Sequence, residues 1–332
     1  MAYTTIDDPS AFFQTTLYTG DGGGTRAVTH GGNSDLNADW VWIKDRGTTS
    51  THYIFDSVRG VQKHLSSAST SQELSDANSL KAFNSDSFTL GTSGNVNGNT
   101  RTFVSWNWKE SVTAGFDILT YEGTDSARTV AHNLGVKPDW IIVKNIDSSD
   151  PPFNWRSYHS ALGAGIAMKP NGTDAVSTAA DYWNDTEPTS SVFSVKDSGE
   201  TNNSSQTYIA YLFAEKQGYS KFSSYIGNGN ADGTFIYTGF APAFILLKRT
   251  DATDQWIIKD NKRPGHNPNN TLYGNLNNAE DTSSSVYADF VSNGVKLRGA
   301  NNAINTSGGT YIYLAFAENP FVTSTGIPSP AR

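Results

Sequence analysis

Three glutamates close three similar stretches: "TFVSWNWKE" ends at Glu110, "TYIAYLFAE" at Glu215 and "TYIYLAFAE" at Glu318. They lie 105 and 103 residues apart. Paired carboxylates are the machinery of glycosidic cleavage, one acting as acid and the other as base or nucleophile. One carboxylate per repeat is not a pair. The expectation is therefore a charged strand terminus that stays in solvent and meets Lys44, Lys144 or Lys248. His132 in "TVAHNLG", echoed by His30 in "AVTHGG", could act as a base. The third copy, "FIYTGFAP", carries no histidine there, so a hydrogen-bonded structural role is expected.

Other chemistry is sparse. No nucleophile elbow, HExxH helix, phosphate loop or dinucleotide fingerprint occurs. The acidic loop 145–150, "NIDSSD", has oxygen donors for calcium but not the spacing of an EF-hand, so a polar turn is expected. Trp155, Tyr158 and His159 in "FNWRSYHS" and Trp183 in "DYWNDTEP" read as loop aromatics on which a sugar ring could stack, the alternative being that they cap a core. No metal site and no cofactor is expected.

The elements that must carry these residues are strands. In "ADWVWIKDR", Trp40 and Trp42 point to one face of an extended strand and Val41 and Ile43 to the other, so both faces are apolar. Such a strand belongs between two layers. It returns as "PDWIIVK" with Trp140 and as "PAFILLK" with Phe244, 100 and 104 residues on. A third landmark, "YTGDG", "YEGTD" and "YIGNG" from Tyr18, Tyr121 and Tyr225, keeps the same interval. The chain is thus read as three diverged copies of one unit. Residues 1–17 form a lead, 18–111, 112–217 and 218–320 the three copies, and 321–332 a tail.

Strands separated by clusters of Gly, Asn, Asp and Ser predict an all-β fold: tandem antiparallel β-sandwiches, jelly-roll or lectin-like, of about 100 residues each with little helix. The best helical candidate is "SQELSDANSLKAF", 71–83. Trp40, Trp42, Trp140, Phe244, Trp106 and Tyr211 are the expected core aromatics. Short, partly apolar linkers predict units that dock on one another.

Composition sets limits. Absence of cysteine excludes disulfides, thiolate zinc sites and cysteine nucleophiles. A net charge of −8 argues against nucleic-acid binding. No apolar run is long enough for a membrane span, and the N-terminus shows no secretory signal, which predicts synthesis in a cytoplasm without membrane insertion.

The set "DWVWIKDR", "HNLGVKP", "NDTEPTSSVFSV", "YIAYLFAE", "GYSKFSSYIGNG" and "YTTIDDPSAFFQT" resembles repeat-bearing structural proteins of tailed bacteriophages, particularly those of marine and cyanobacterial hosts. The resemblance spans nearly the whole chain and carries no catalytic residue. It implies a non-enzymatic virion protein on the exterior of tail or capsid. The expected role is tail-fibre-like and receptor-binding, contacting a host-surface glycan and other virion proteins. Alternatives are a capsid decoration or cement protein and, behind it, a polysaccharide depolymerase. The first unit begins within about twenty residues, leaving no room for a fibre shaft. A homotrimer is the expected assembly, with a pseudo-threefold monomer as its rival.

Overall fold

The computed structural model describes residues 2–148, 151–178, 180–264, 270–282 and 286–328. The fold is all-β, built of antiparallel sheets. Twelve strands make three main sheets. The first sheet holds β1 (Phe13–Thr19), β2 (Trp40–Asp45), β3 (Tyr53–Asp56) and β4 (Thr102–Trp108), in the spatial order β1-β4-β2-β3. The second holds β5 (Phe116–Glu122), β6 (Trp140–Asn145), β7 (Arg156–His159) and β8 (Thr207–Phe213), in the order β5-β8-β6-β7. The third holds β9 (Ser220–Ile226), β10 (Phe240–Arg249), β11 (Trp256–Asp260) and β12 (Thr310–Pro320), in the order β9-β12-β10-β11, with Leu272–Tyr273 added at the edge. One strand order thus recurs three times, and the sheets and their loops are called units 1, 2 and 3 below.

Register makes the correspondence exact. Trp40 pairs with Trp108 and Asp56, Trp140 with Phe213 and His159, and Phe244 with Phe316 and Asp260. Gln14, Asp117 and Lys221 likewise pair with Asn107, Leu212 and Ala315 at one place in the three sheets.

The doubly apolar strands serve two cores. Val41 and Ile43 join Tyr18, Phe55, Phe88 and Phe103 in a core belonging to unit 1 alone. That core also takes Val28 and Phe88 from a smaller sheet, Arg26–Thr29, Ser87–Leu90 and Leu80–Asn84. Units 2 and 3 have matching private cores. On the opposite face Trp40, Trp42, Trp106, Trp140, Tyr211 and Phe244 meet in one hub to which all three units contribute. These six are buried, and Trp40 stacks on Tyr211 at 4.9 Å between ring centroids. Each such ring adds about 1.5–3 kcal/mol by removing apolar area from water.

The chain passes between units in tight hairpins. Gly115 and Gly218 adopt φ of 72° and 78° there, and a side chain on Gly115 would come within 2.3 Å of the Ala214 carbonyl. Only glycine takes this left-handed turn at no steric cost.

Residues 71–83 are not helical. Leu74–Ser75 and Leu80–Asn84 are strands, separated by a turn in which Asn78 N–H donates to Asp76 Oδ1. A two- or three-turn helix is marginal alone, and the pairing of Leu80 with Leu90 outcompetes it. Among the described residues the α-helices are four-residue pieces at Gly94–Asn97, Ala180–Trp183 and Asn302–Asn305. Two of them end in buried asparagines, and Asn202 occupies the same place in unit 2. Asn97 Nδ2 donates to Asp21, Gly23 and Gly91, Asn202 to Ser126, and Asn305 to Asn228, Asn230 and Gly299. Each pins the glycine-rich turn that opens its unit.

Candidate functional site at the unit junctions

Contacts between units run in rings. Trp155 Nε1 of unit 2 donates to the Ser66 carbonyl of unit 1 at 2.9 Å. Trp256 Nε1 of unit 3 donates to the Lys169 carbonyl of unit 2 at 3.1 Å. His52 Nε2 of unit 1 closes the ring on the Tyr273 carbonyl of unit 3 at 3.0 Å. The indole N–H of Trp42 donates to His52 Nδ1, which fixes the tautomer with the proton on Nε2. A second ring is made of backbone alone: Glu73 N–H to Ile146 O, Val176 N–H to Thr250 O and Glu280 N–H to Arg46 O.

A third ring varies in chemistry. Asp56, held by Arg59, accepts from the Tyr211 hydroxyl of unit 2 at 2.7 Å. Asp260, held by Arg263, accepts from Trp106 Nε1 of unit 1 at 3.0 Å. In unit 2 the Asp and Arg positions are His159 and Leu162, and the neighbour's donor position is Leu314. His159 Nε2 donates instead to the Tyr313 carbonyl at 3.4 Å.

Of the aromatics expected to stack on a sugar, Trp155 and His159 lie in these contacts, and Tyr158 and Trp183 in the private core of unit 2. Trp155, Tyr158, His159 and Trp183 are each 1–2 % exposed, which corrects their reading as a surface platform. "RSYH" is strand β7 rather than loop. Trp155 belongs to the hub, and the Tyr158 hydroxyl donates to Glu187 while its ring packs against Trp183. Burial lowers the His159 pKa to about 4 and, with Lys44 nearby, that of His52 to about 3. His132 is also committed: Nδ1 accepts from Leu134 N–H and Nε2 donates to the Thr189 carbonyl. In the 145–150 loop Asn145 Oδ1 accepts from the N–H groups of Asp147 and Ser148, while residues 149–150 lie outside the described residues.

The recurring glutamates stand at the rim of the junctions, and each faces a different neighbour. They do not meet Lys44, Lys144 and Lys248. Those lysines are buried and donate to backbone carbonyls, two of them across a junction, Lys144 to Thr70 and Lys248 to Thr173. Burial lowers all three lysine pKa values to about 8.

Between units 1 and 2, Glu110 N–H donates to Asp39 Oδ2, and Glu110 Oε1 accepts from Ile118 N–H at 3.1 Å. Its carboxyl is beside Asp117. Burial first, then the carboxylates of Asp117 and Asp39, push the Glu110 pKa up to about 7. A carboxyl pair therefore exists at this junction. Sequence reasoning missed it because Asp117 belongs to the next unit and no local motif marks it.

Between units 2 and 3, Asp139 caps the Glu215 N–H in the same way, but Lys221 replaces Asp117 and bonds Glu215 Oε1 at 2.7 Å. Between units 3 and 1, Gln14 stands at that place. Its amide is consumed locally, accepting from Gly32 N–H and donating to the Ser10 and Ser34 carbonyls. The capping aspartate is replaced by Ala243. Glu318 has Lys262 Nζ at 3.8 Å. A cleft of about 470 Å³ opens at this third junction.

Among the described residues no cluster of metal-ligating side chains occurs, and no helix is long and apolar enough to cross a membrane. A family model described as a domain of unknown function, DUF7483, matches residues 8–320. No curated protein matches the sequence.

Proposed function

We propose that this chain, which belongs to the DUF7483 family, is a non-enzymatic structural component of a tailed-phage virion that contacts the host surface. The observation that carries the reading is the closed ring: the recurrent polar and aromatic residues are spent on joining three β-units around one hub. A rigid body of this kind suits display of loops outside a cell, where no disulfide is available to harden the chain. The sequence resemblance to phage structural proteins supplies the virion. Other virion proteins are its partners.

Since one chain already supplies three units around one hub, the ring favours the single chain as the threefold body over the trimer of chains expected from sequence. Light scattering separates the two: one species at 35.9 kDa across concentration supports the single chain. Cryo-electron microscopy of intact particles tests the main reading. Density at the tail exterior supports it, and absence of the protein from particles overturns it.

A specific observation favours decoration of the capsid as the second reading. Phe235 and Tyr237 are exposed on the outer face of unit 3, where unit 1 has Ala27 and Thr29 and unit 2 has Thr129 and Ala131. Such a patch suits a lattice contact. Density repeating over the capsid surface distinguishes this reading. Cleavage of a host polysaccharide by the purified protein, lost in Glu110→Gln and Asp117→Asn, would overturn the non-enzymatic assignment.

A further inference from the structure

A cavity opens at the third junction. Its volume, about 470 Å³, lies within the range of small-molecule sites. Three local changes in the repeat make it. Ala243 replaces the aspartate that caps the glutamate N–H elsewhere. Thr15 replaces Ile118 and Phe222, which fill the hub in units 2 and 3. Gly31 and Gly32 form part of the wall without side chains, and a Cβ on Gly32 would stand 2.6 Å from Gln14.

The wall has a definite chemistry. At one end the Lys262 ammonium and the Glu318 carboxylate stand 3.8 Å apart, a separation longer than a tight charged hydrogen bond. A donor and an acceptor side by side suit a group that both donates and accepts, which is a hydroxyl. An isolated anion meets the carboxylate and an isolated cation meets the ammonium, so both are disfavoured. Thr15 lines the cleft at 7 % exposure, and its hydroxyl has no partner among the described residues. A buried hydroxyl in that state costs free energy that a ligand hydroxyl would recover. Phe13, Ala243 and Ala317 give an apolar wall for C–H faces.

We propose that the cleft between units 3 and 1 is a binding site for one neutral sugar ring. The site rests on the host-contacting reading above in taking that sugar from a surface glycan, whereas its chemistry is independent of where the protein sits on a particle. Lys262 and Glu318 bracket adjacent ring hydroxyls, Thr15 meets a third, and Phe13 and Ala317 carry the ring face.

The test uses the intact protein with D-glucose, D-galactose and N-acetylglucosamine as probes, and sodium sulfate as the anionic competitor, in ligand-observed NMR titrations. At least one sugar is expected to bind the wild type and to resist sulfate. Ala243→Asp and Thr15→Ile each install the residue that another unit carries at the same place, so both should fold and both should weaken binding at least about tenfold. Lys262→Met, on an exposed side chain, gives a third readout that does not touch the hub, and should also weaken binding. Failure of all three sugars to bind, displacement by sulfate, or undiminished binding in folded variants would each overturn the site. If a sugar binds as described but the protein is absent from particles, the virion reading falls and the site stands.

Discussion

The inner contacts and the outer rim of the junctions use the threefold repeat in opposite ways. Close to the hub the same bond is made three times, from Trp155, Trp256 and His52 to the carbonyls of Ser66, Lys169 and Tyr273. At the rim one recurring glutamate meets Asp117, then Lys221, then a cleft beside Gln14. Where closure of the ring is at stake the chemistry is held constant. At the rim, where the glutamate is only half-buried and each neighbour supplies a different side chain, the three copies diverge. The Asp56–Tyr211 and Asp260–Trp106 contacts lie between these extremes: Leu314 supplies no donor for an acid, and the partner there is His159 instead. The interface between units 2 and 3 is thus distinguished from the other two by its chemistry.

The contrast can be broken most forcefully at the inner pairs. Asp56→Ala leaves the Arg59 guanidinium buried without its main partner and should cost about 3–5 kcal/mol, read as a large fall in the calorimetric Tm. His159→Asp should cost a comparable amount, because it buries a carboxylate opposite Leu314. Adding Leu162→Arg and Leu314→Tyr, the residue types found at the Asp56 contact, should recover at least half of that loss. Failure of the triple variant to improve on His159→Asp would show that the three inner contacts are not interchangeable. Tyr211→Phe keeps the ring and removes one hydrogen bond to a charged acceptor, so about 1.5–3 kcal/mol is expected from denaturant titration.

Acid should weaken the inner contacts before the rim. His52 and His159 are neutral in the fold, with pKa values lowered to about 3 and about 4 by burial. His30 and His64 are also lowered to about 4, and His132 is lowered. The unfolded chain takes up protons from about pH 6.5, so this stability is complete above that value and is lost as pH falls toward 4. Melting temperature measured from pH 7 to 4 should decline, less steeply in His159→Gln.

The rim should respond in the other direction and by the smallest amount. The Glu110 pKa is raised from 4.5 to about 7, so its contribution is intact below 4.5 and lost as pH rises through 7. Glu110→Gln keeps the acceptor for Ile118 N–H and gains a donor toward Asp117. It should stabilise the protein by up to about 1 kcal/mol at pH 8 and leave it unchanged at pH 4.5. An equal effect at both pH values would mean that Asp117 and Glu110 do not share a proton.

The sequence made the repeat and the strands legible because three landmarks keep one interval and because Trp40 to Ile43 are apolar on both faces. That pattern also anticipated two layers around each strand, since one face enters a private core and the other the hub. It could not identify which core was shared, because nothing in a single strand distinguishes a neighbour in the same unit from one in the next. The loop aromatics failed for a related reason. Trp155 follows Phe153 and Asn154 in a polar stretch, yet its indole is satisfied by a carbonyl 89 residues earlier. The glutamates were visible and their partners were not: Asp117, Lys221 and Gln14 lie on the first strands of units, where the sequence shows only a change of residue type at one place in the repeat.

The three rim sites have a consequence for stoichiometry. In a ring of three identical chains, a substitution at the rim is copied three times, and a cleft opened at one junction opens at all of them. With the three units on one chain, Asp117, Lys221 and Ala243 are separately heritable. One junction can lose its cap while the other two keep theirs. Each molecule therefore presents the cleft between units 3 and 1 once, oriented uniquely with respect to the exposed Phe235 and Tyr237 of unit 3.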